Sequence, residues 1–240
     1  MAKRLKVEVW SDIACPWCYI GKRRLETALR EFAFADEVEV LWRAFELDPR
    51  APRVRDRSVS HAERIAKKYG MSVERAQASS ARLTGIASEE GLTFDFERIQ
   101  SGNTFDAHRV LHLALERGVQ DRVKERFMHA YLCEGEAIGE PETLQRLATD
   151  AGLEADEVQA VLSTDQYAAE VRADQAAAGQ LGVDGVPFFK IGRYGAAGAQ
   201  PAELLLKILE KAWSELPAPL ERISADGPVC GADGCDPLTS

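Results

Sequence analysis

Cys15-Pro16-Trp17-Cys18 sets two thiols at a spacing that can bring their sulfurs together to cycle between dithiol and disulfide. The motif lies between a strand pattern and a helix pattern, and a helix N-terminus favours a thiolate. Cys15 precedes the helix body, so it is expected to be the more exposed sulfur and the nucleophile. Cys18, one turn on, is then placed to attack the sulfur of a mixed disulfide and release the substrate. Pro16 restricts the loop and brings no amide donor, while Trp17 offers an apolar surface that could meet a substrate or pack.

The chain holds five cysteines, at 15, 18, 133, 230 and 235, an uneven set unlike a secreted disulfide scaffold. Cys230 and Cys235 form a C-x4-C pair in a glycine-containing segment. That pair reads either as an auxiliary disulfide or dithiol that exchanges electrons with the first pair or a partner, or as a clip on the tail. Four sulfurs could hold zinc tetrahedrally, but the long gap from Cys18 to Cys230 gives no compact ligand set, and bound metal would remove the exchange chemistry. No metal and no organic cofactor are expected. Cys133 closes the run Phe-Met-His-Ala-Tyr-Leu alone and reads as a small buried apolar thiol. His108 and His112 can share a helix face, yet without an H-E-x-x-H arrangement packing or solvent contact is the better reading. His61 and His129 join no cluster.

The second informative segment is Gly182-Val183-Asp184-Gly185-Val186-Pro187-Phe188-Phe189. Pro187 opens an apolar strand, where a cis bond after Val186 would turn backbone polar groups toward the thiols and hold a substrate chain extended. An ordinary glycine turn is the alternative. Asn103 or Thr104 can cap the helix that follows, and polar residues there, with Trp42, Arg43, Ala44 and Glu46, could also line a cleft beside the thiols. We find no Ser-His-Asp array, P-loop or dinucleotide fingerprint.

These motifs need elements to position them. Residues 5–11 alternate Leu5, Val7 and Val9 against Lys6 and Glu8, a strand pattern. A turn follows at 12–16, then a helix at 17–33 with Leu25, Ala28, Leu29 and Phe32 on one face and Lys22, Arg23, Arg24, Glu26 and Arg30 available to water. A second strand at 37–43 completes a β-α-β unit in a mixed sheet. From about 50 to 180 the pattern is helical, with segments at 58–69, 72–88, 105–116, 120–132, 141–150, 154–163 and 165–178. Strand character returns at 186–191 and a last helix runs from Pro201 to about Trp213. The expected class is α/β, with one domain over 1–50 and 180–216, a helical insertion domain over 51–179, and an extended tail over 217–240 carrying the C-x4-C pair.

The 240 residues are 45% hydrophobic and 29% charged, which excludes a disordered chain and the membrane class. A formal charge of −9 disfavours a broad nucleic-acid surface. No apolar run is long enough to span a bilayer, and Met1-Ala2-Lys3-Arg4 leads into a charged strand pattern rather than a signal-peptide core, so a cytoplasmic location is expected.

Asp12 through Gly21, D-x-x-C-P-W-C-Y-I-G, together with Asn103 through Arg109, Gly185 through Phe189 and Gly198-Ala199-Gln200-Pro201, resembles the DsbA-like thioredoxin superfamily, and its cytoplasmic FrnE-like branch in particular. The resemblance implies a thioredoxin-like domain interrupted by a helical insertion, with Pro187 cis beside Cys15. It also implies Cys15 as attacking thiol and Cys18 as resolving thiol, with Pro16, Trp17, Val186, Asn103 and His108 as substrate-contacting positions. Related glutathione transferase kappa and hydroxychromene-carboxylate isomerase enzymes usually carry serine where this chain has Cys15, so two retained cysteines favour protein dithiol chemistry. The C-terminal pair departs from the shorter family pattern and looks like an additional motif of FrnE-like isomerases. The expected activity is protein thiol-disulfide exchange or disulfide isomerisation, in reduction, repair or oxidative stress. Its partners would be client proteins with thiols or disulfides and a thiol reductant or oxidant, with no nucleic acid and no membrane. A glutathione-dependent small-molecule transferase and a redox-regulated chaperone are the alternatives, and an apolar helical surface could pair two copies as a homodimer.

Overall fold

The computed structural model of the protein describes residues 3–53, 58–217, 230–231 and 234–235. Strand β1 (Leu5–Ser11) leads into α1 (Pro16–Glu31), and β2 (Val38–Ala44) pairs parallel to β1 with Leu5 opposite Val38. Seven helices follow: α2 (His61–Tyr69), α3 (Val73–Glu89), α4 (Phe105–Glu116), α5 (Gln120–His129), α6 (Pro141–Asp150), α7 (Ala155–Ser163) and α8 (Ala168–Gln180). Helix α5 continues through a π-helical turn, Ala130–Glu134. The chain then returns to the sheet as β3 (Phe188–Ile191), antiparallel to β1 with Phe189 opposite Val9, and β4 (Tyr194–Ala197) pairs antiparallel to β3. Sheet order is β2-β1-β3-β4, and α9 (Ala202–Ser214) packs against α1. This is the mixed α/β arrangement expected, with the helical run between β2 and β3.

Two apolar layers hold these elements. Leu5, Val7 and Val9 of β1 and Phe189 and Ile191 of β3 bury against Leu25 and Ala28 of α1 and Leu205 and Leu209 of α9. Each such side chain contributes about 1.5–3 kcal/mol by leaving water. The start of α1 instead enters the helical layer, where Cys15, Cys18, Tyr19 and Ile20 join Val110, Leu113, Phe127 and Leu132. Helix α1 therefore carries the thiol motif to the junction of sheet and helices.

The structure corrects two surface assignments. Lys22 is 1% exposed, not facing water, because Glu26, Asp121 and Glu125 surround its ammonium, the last at 3.1 Å. Glu8 is also buried: Arg43 from β2 and Lys190 from β3 reach it at 2.6 and 2.7 Å. Burial alone would raise its pKa, but hydrogen bonds from Lys190 and Arg43 bring it down to about 2. Strand β4 lacks an expected counterpart, since Tyr-Gly-Ala-Ala has weak strand propensity and forms through its pairing with β3. The C-terminal backbone forms two short strands, β5 (Cys230–Gly231) and β6 (Gly234–Cys235), which place Cys230 opposite Cys235 in antiparallel register. The remainder of the expected tail beyond residue 217 lies outside the described residues.

Candidate redox site

Cys15 is the N-cap of α1 and Pro16 its first residue, so the missing proline amide falls where a helix has no partner to offer it. The Cys15 carbonyl accepts hydrogen bonds from the amides of Cys18 at 3.0 Å and Tyr19 at 3.4 Å, which sets the two cysteines one turn apart. Both are unbonded thiols. Cys15 is 5% exposed and Cys18 fully buried, so the expected order of exposure holds, although neither sulfur stands free in solvent. Trp17, at 41% exposed, is the open side of the motif, with Pro16 half-buried beside it.

Helix α1 does not make Cys15 an easy acid. Its thiol is pushed up, first by the hydrogen bond it shares with the Cys18 sulfur, then by burial and the Cys18 charge; the Cys18 amide pulls the other way and Asp12 adds to the rise. Two sulfurs sharing one proton titrate as a pair, and the helix end cannot offset the loss of water.

The Val186–Pro187 peptide is cis, as expected from the resemblance. Cys15 Sγ donates to the Val186 carbonyl oxygen across 3.7 Å. Gly21 explains how the two segments approach: a Cβ on it would stand 3.0 Å from Pro187 Cγ and 3.2 Å from Phe189 Cζ. The glycine of the D-x-x-C-P-W-C-Y-I-G run is thus a gap in α1 that admits the proline loop.

Behind the thiols lies a polar cluster. Asp12 is 1% exposed; its carboxylate accepts from the Ala14 amide at 3.2 Å and the Leu47 amide at 2.8 Å, and His108 Nε2 lies 3.6 Å away. Burial would raise its pKa, yet His108 and the two amides hold the carboxyl below its ordinary value. His108 is 1% exposed, so the expectation that it contacts substrate is corrected: the ring is enclosed against Asp12 and supports the loop before Cys15. His112 is separately paired with Asp174 at 3.1 Å, which accounts for both histidines of that face by packing. Among the described residues no group of three metal-ligating side chains occurs.

Asn103 is half-buried and accepts from the Phe105 amide at 2.8 Å, while its own amide donates to the Pro52 carbonyl at 3.1 Å. It therefore ties the start of α4 to the 49–52 loop, the capping role rather than a contact with the thiols. Trp42 donates from Nε1 to Asp121, Arg43 serves Glu8, and Glu46 accepts from Arg172 and Gln175, so these three are structural partners. Cys133 is half-buried on the π-helical turn, and burial pushes its thiol up.

Lys124 escapes motif reading altogether. It is fully buried on α5, its Nζ donating to the Ser11 carbonyl at 3.2 Å and lying 5.7 Å from the Trp42 ring centre. The available signal is its place in the buried stripe of α5 with Val123, Phe127 and Met128.

A thiol pair at a helix N-terminus, faced by a cis-proline loop on a mixed four-stranded sheet, defines a thioredoxin-type redox fold. The profile of the DSBA-like thioredoxin domain matches residues 6–210, and the chain belongs to that family of oxidoreductases. A crystal structure of the probable DsbA oxidoreductase SCO1869 from Streptomyces coelicolor is 46% identical, with a TM-score of 0.84 over 97% of this chain and 99% of that one. The uncharacterized protein YwbO of Bacillus subtilis is 26% identical, covering 85% of this chain and 94% of YwbO. The cytosolic disulfide reductase DsbM from Pseudomonas aeruginosa, solved with GSH, shares the fold at 21% identity and a TM-score of 0.52, over 88% of this chain and 96% of DsbM.

Proposed function

We propose that the protein exchanges thiols and disulfides in client proteins, reducing or isomerising them with Cys15 as attacking sulfur and Cys18 as resolving sulfur. The observation that carries this reading is the 3.7 Å approach of Cys15 Sγ to the carbonyl before cis-Pro187, beside the exposed ring of Trp17. An extended client segment could pair with the backbone at Val186 while its disulfide faces Cys15.

In reduction, Cys15 thiolate attacks one client sulfur; a Cys15–client S–S bond forms, the client S–S bond breaks, and the departing thiolate takes a proton. Cys18 thiolate then attacks Cys15, forming the Cys15–Cys18 bond and releasing the second client sulfur. Two electrons have moved to the client, and an external thiol must restore the dithiol. The DsbM structure with GSH supports glutathione as a candidate for that reductant. In isomerisation a second client thiol resolves the mixed disulfide and no net oxidation occurs. Leu47, 40% exposed on the loop bound to Asp12, and Trp17 would offer apolar contact to unfolded clients.

Cys230 and Cys235, opposite one another in backbone register, are assigned an auxiliary role in electron transfer. The proposed setting is cytoplasmic; no helix among the described residues is long and apolar enough to cross a membrane. The test is recovery of activity from scrambled, disulfide-bonded ribonuclease in a defined thiol buffer. Recovery that depends on Cys15 supports the assignment, and equal recovery with Cys15→Ser overturns it.

A further inference from the structure

Lys124 is an ammonium group with no access to solvent, fully buried on α5, and its printed hydrogen bond is to a backbone carbonyl, that of Ser11 at 3.2 Å. That carbonyl ends β1, four residues before Cys15. A lone buried cation is costly unless negative charge lies close by. The neighbouring acids do not bond to it: Asp121 and Glu125, on its own helix, bind Lys22, and Asp12 bonds the Ala14 and Leu47 amides.

We infer that Lys124 is a positioning residue that favours the anionic state of the Cys15–Cys18 dithiol from the core side, an inference that rests on the thiol-exchange reading above. The groups facing it come from every packed element: Cys15, Cys18 and Lys22 from α1, Asp12 from the loop after β1 with His108 of α4 behind it, and Trp42 from β2. Burial brings the ammonium down to about 8; Cys18 is the foremost opposing influence, ahead of Asp12 and Cys15, while Lys22 adds to the fall. Its charge is thus held in part by the redox sulfurs, and linkage requires the sulfurs to feel the ammonium equally.

The step it serves is resolution of the mixed disulfide. Cys18 gives its proton to water, its thiolate attacks Cys15, the Cys15–Cys18 bond forms and the Cys15–client bond breaks, the client sulfur leaving as a thiolate. Lys124 keeps its proton throughout and supplies charge alone.

The test is the pH dependence of Cys15 alkylation by iodoacetamide in the full chain and in Lys124→Met and Lys124→Arg. Removing one buried positive charge should move the midpoint up by roughly one pH unit, about tenfold slower alkylation below it, while arginine restores it. An unchanged midpoint in folded Lys124→Met overturns the inference, since a packing role would alter urea stability and leave the titration in place. If that variant does not fold, the Lys124 side-chain resonance of the unaltered protein is titrated in reduced and oxidised states. A higher midpoint in the reduced state supports the inference and equal midpoints overturn it. Neither readout uses a client, so failure of disulfide exchange with a shifted midpoint would count against the proposed function alone.

Discussion

Gly21 makes the closeness of helix and proline loop measurable. A Cβ there stands 3.0 Å from Pro187 Cγ, 3.2 Å from Phe189 Cζ and 3.6 Å from Ala199 Cβ, tighter than ordinary carbon contact at the first two. Gly21→Ala gains about 0.8–1 kcal/mol of helix propensity and meets an overpacking cost of about 1–3 kcal/mol, so its net change should be small and destabilising. Gly21→Val regains only a few tenths of a kcal/mol over glycine and adds two branches toward Pro187, leaving a loss of about 1–3 kcal/mol. Urea unfolding gives the stability of both variants, and the rate of disulfide exchange reports the proline loop, which can yield only by moving from Cys15. Exchange should fall in the order glycine, alanine, valine. A valine variant as stable and as fast as the original would refute the reasoning, because it would mean that the helix and the loop are not in contact.

Glu8→Gln should cost on the order of 2–3 kcal/mol at neutral pH. Because the folded carboxyl sits near 2 against an ordinary 4.5, that contribution is present above about pH 4.5 and fades as pH falls toward 2. Urea melts at several pH values check this; parallel curves for the two proteins would contradict it. Asp12→Ala strips acceptors from the Ala14 and Leu47 amides, and a loss of about 1–3 kcal/mol is expected in the same assay, against no change if those bonds are idle. Cys133→Ser should leave the exchange rate within about twofold, since that half-buried thiol stands apart from the Cys15–Cys18 pair; a collapse of turnover would give it a role the structure does not.

Much of the layout was legible because patterning and special residues agree: the period of β1, the proline at the start of α1, and the helical run before Val186-Pro187. The thiol motif and the proline segment meet as their sequence context implied. The supporting charges were not legible. Lys22 and Lys124 read as solvent-facing by residue type, and only tertiary packing shows that one is ringed by carboxylates while the other has a carbonyl and two sulfurs for company. His108 was ambiguous for the same reason, since its partner Asp12 lies far away in the chain. Strand β4 was missed because its residues owe their conformation to β3 rather than to propensity.

The central claim is that Cys15 is the sulfur that bonds the client and Cys18 the one that frees it. The direct measurement is to mix reduced Cys18→Ser protein with a disulfide-bonded model peptide, quench with acid and locate the adduct by peptide mass mapping. The account predicts a persistent mixed disulfide on Cys15, absent when Cys18 is restored. An adduct confined to Cys133, Cys230 or Cys235, or none at all, would contradict it.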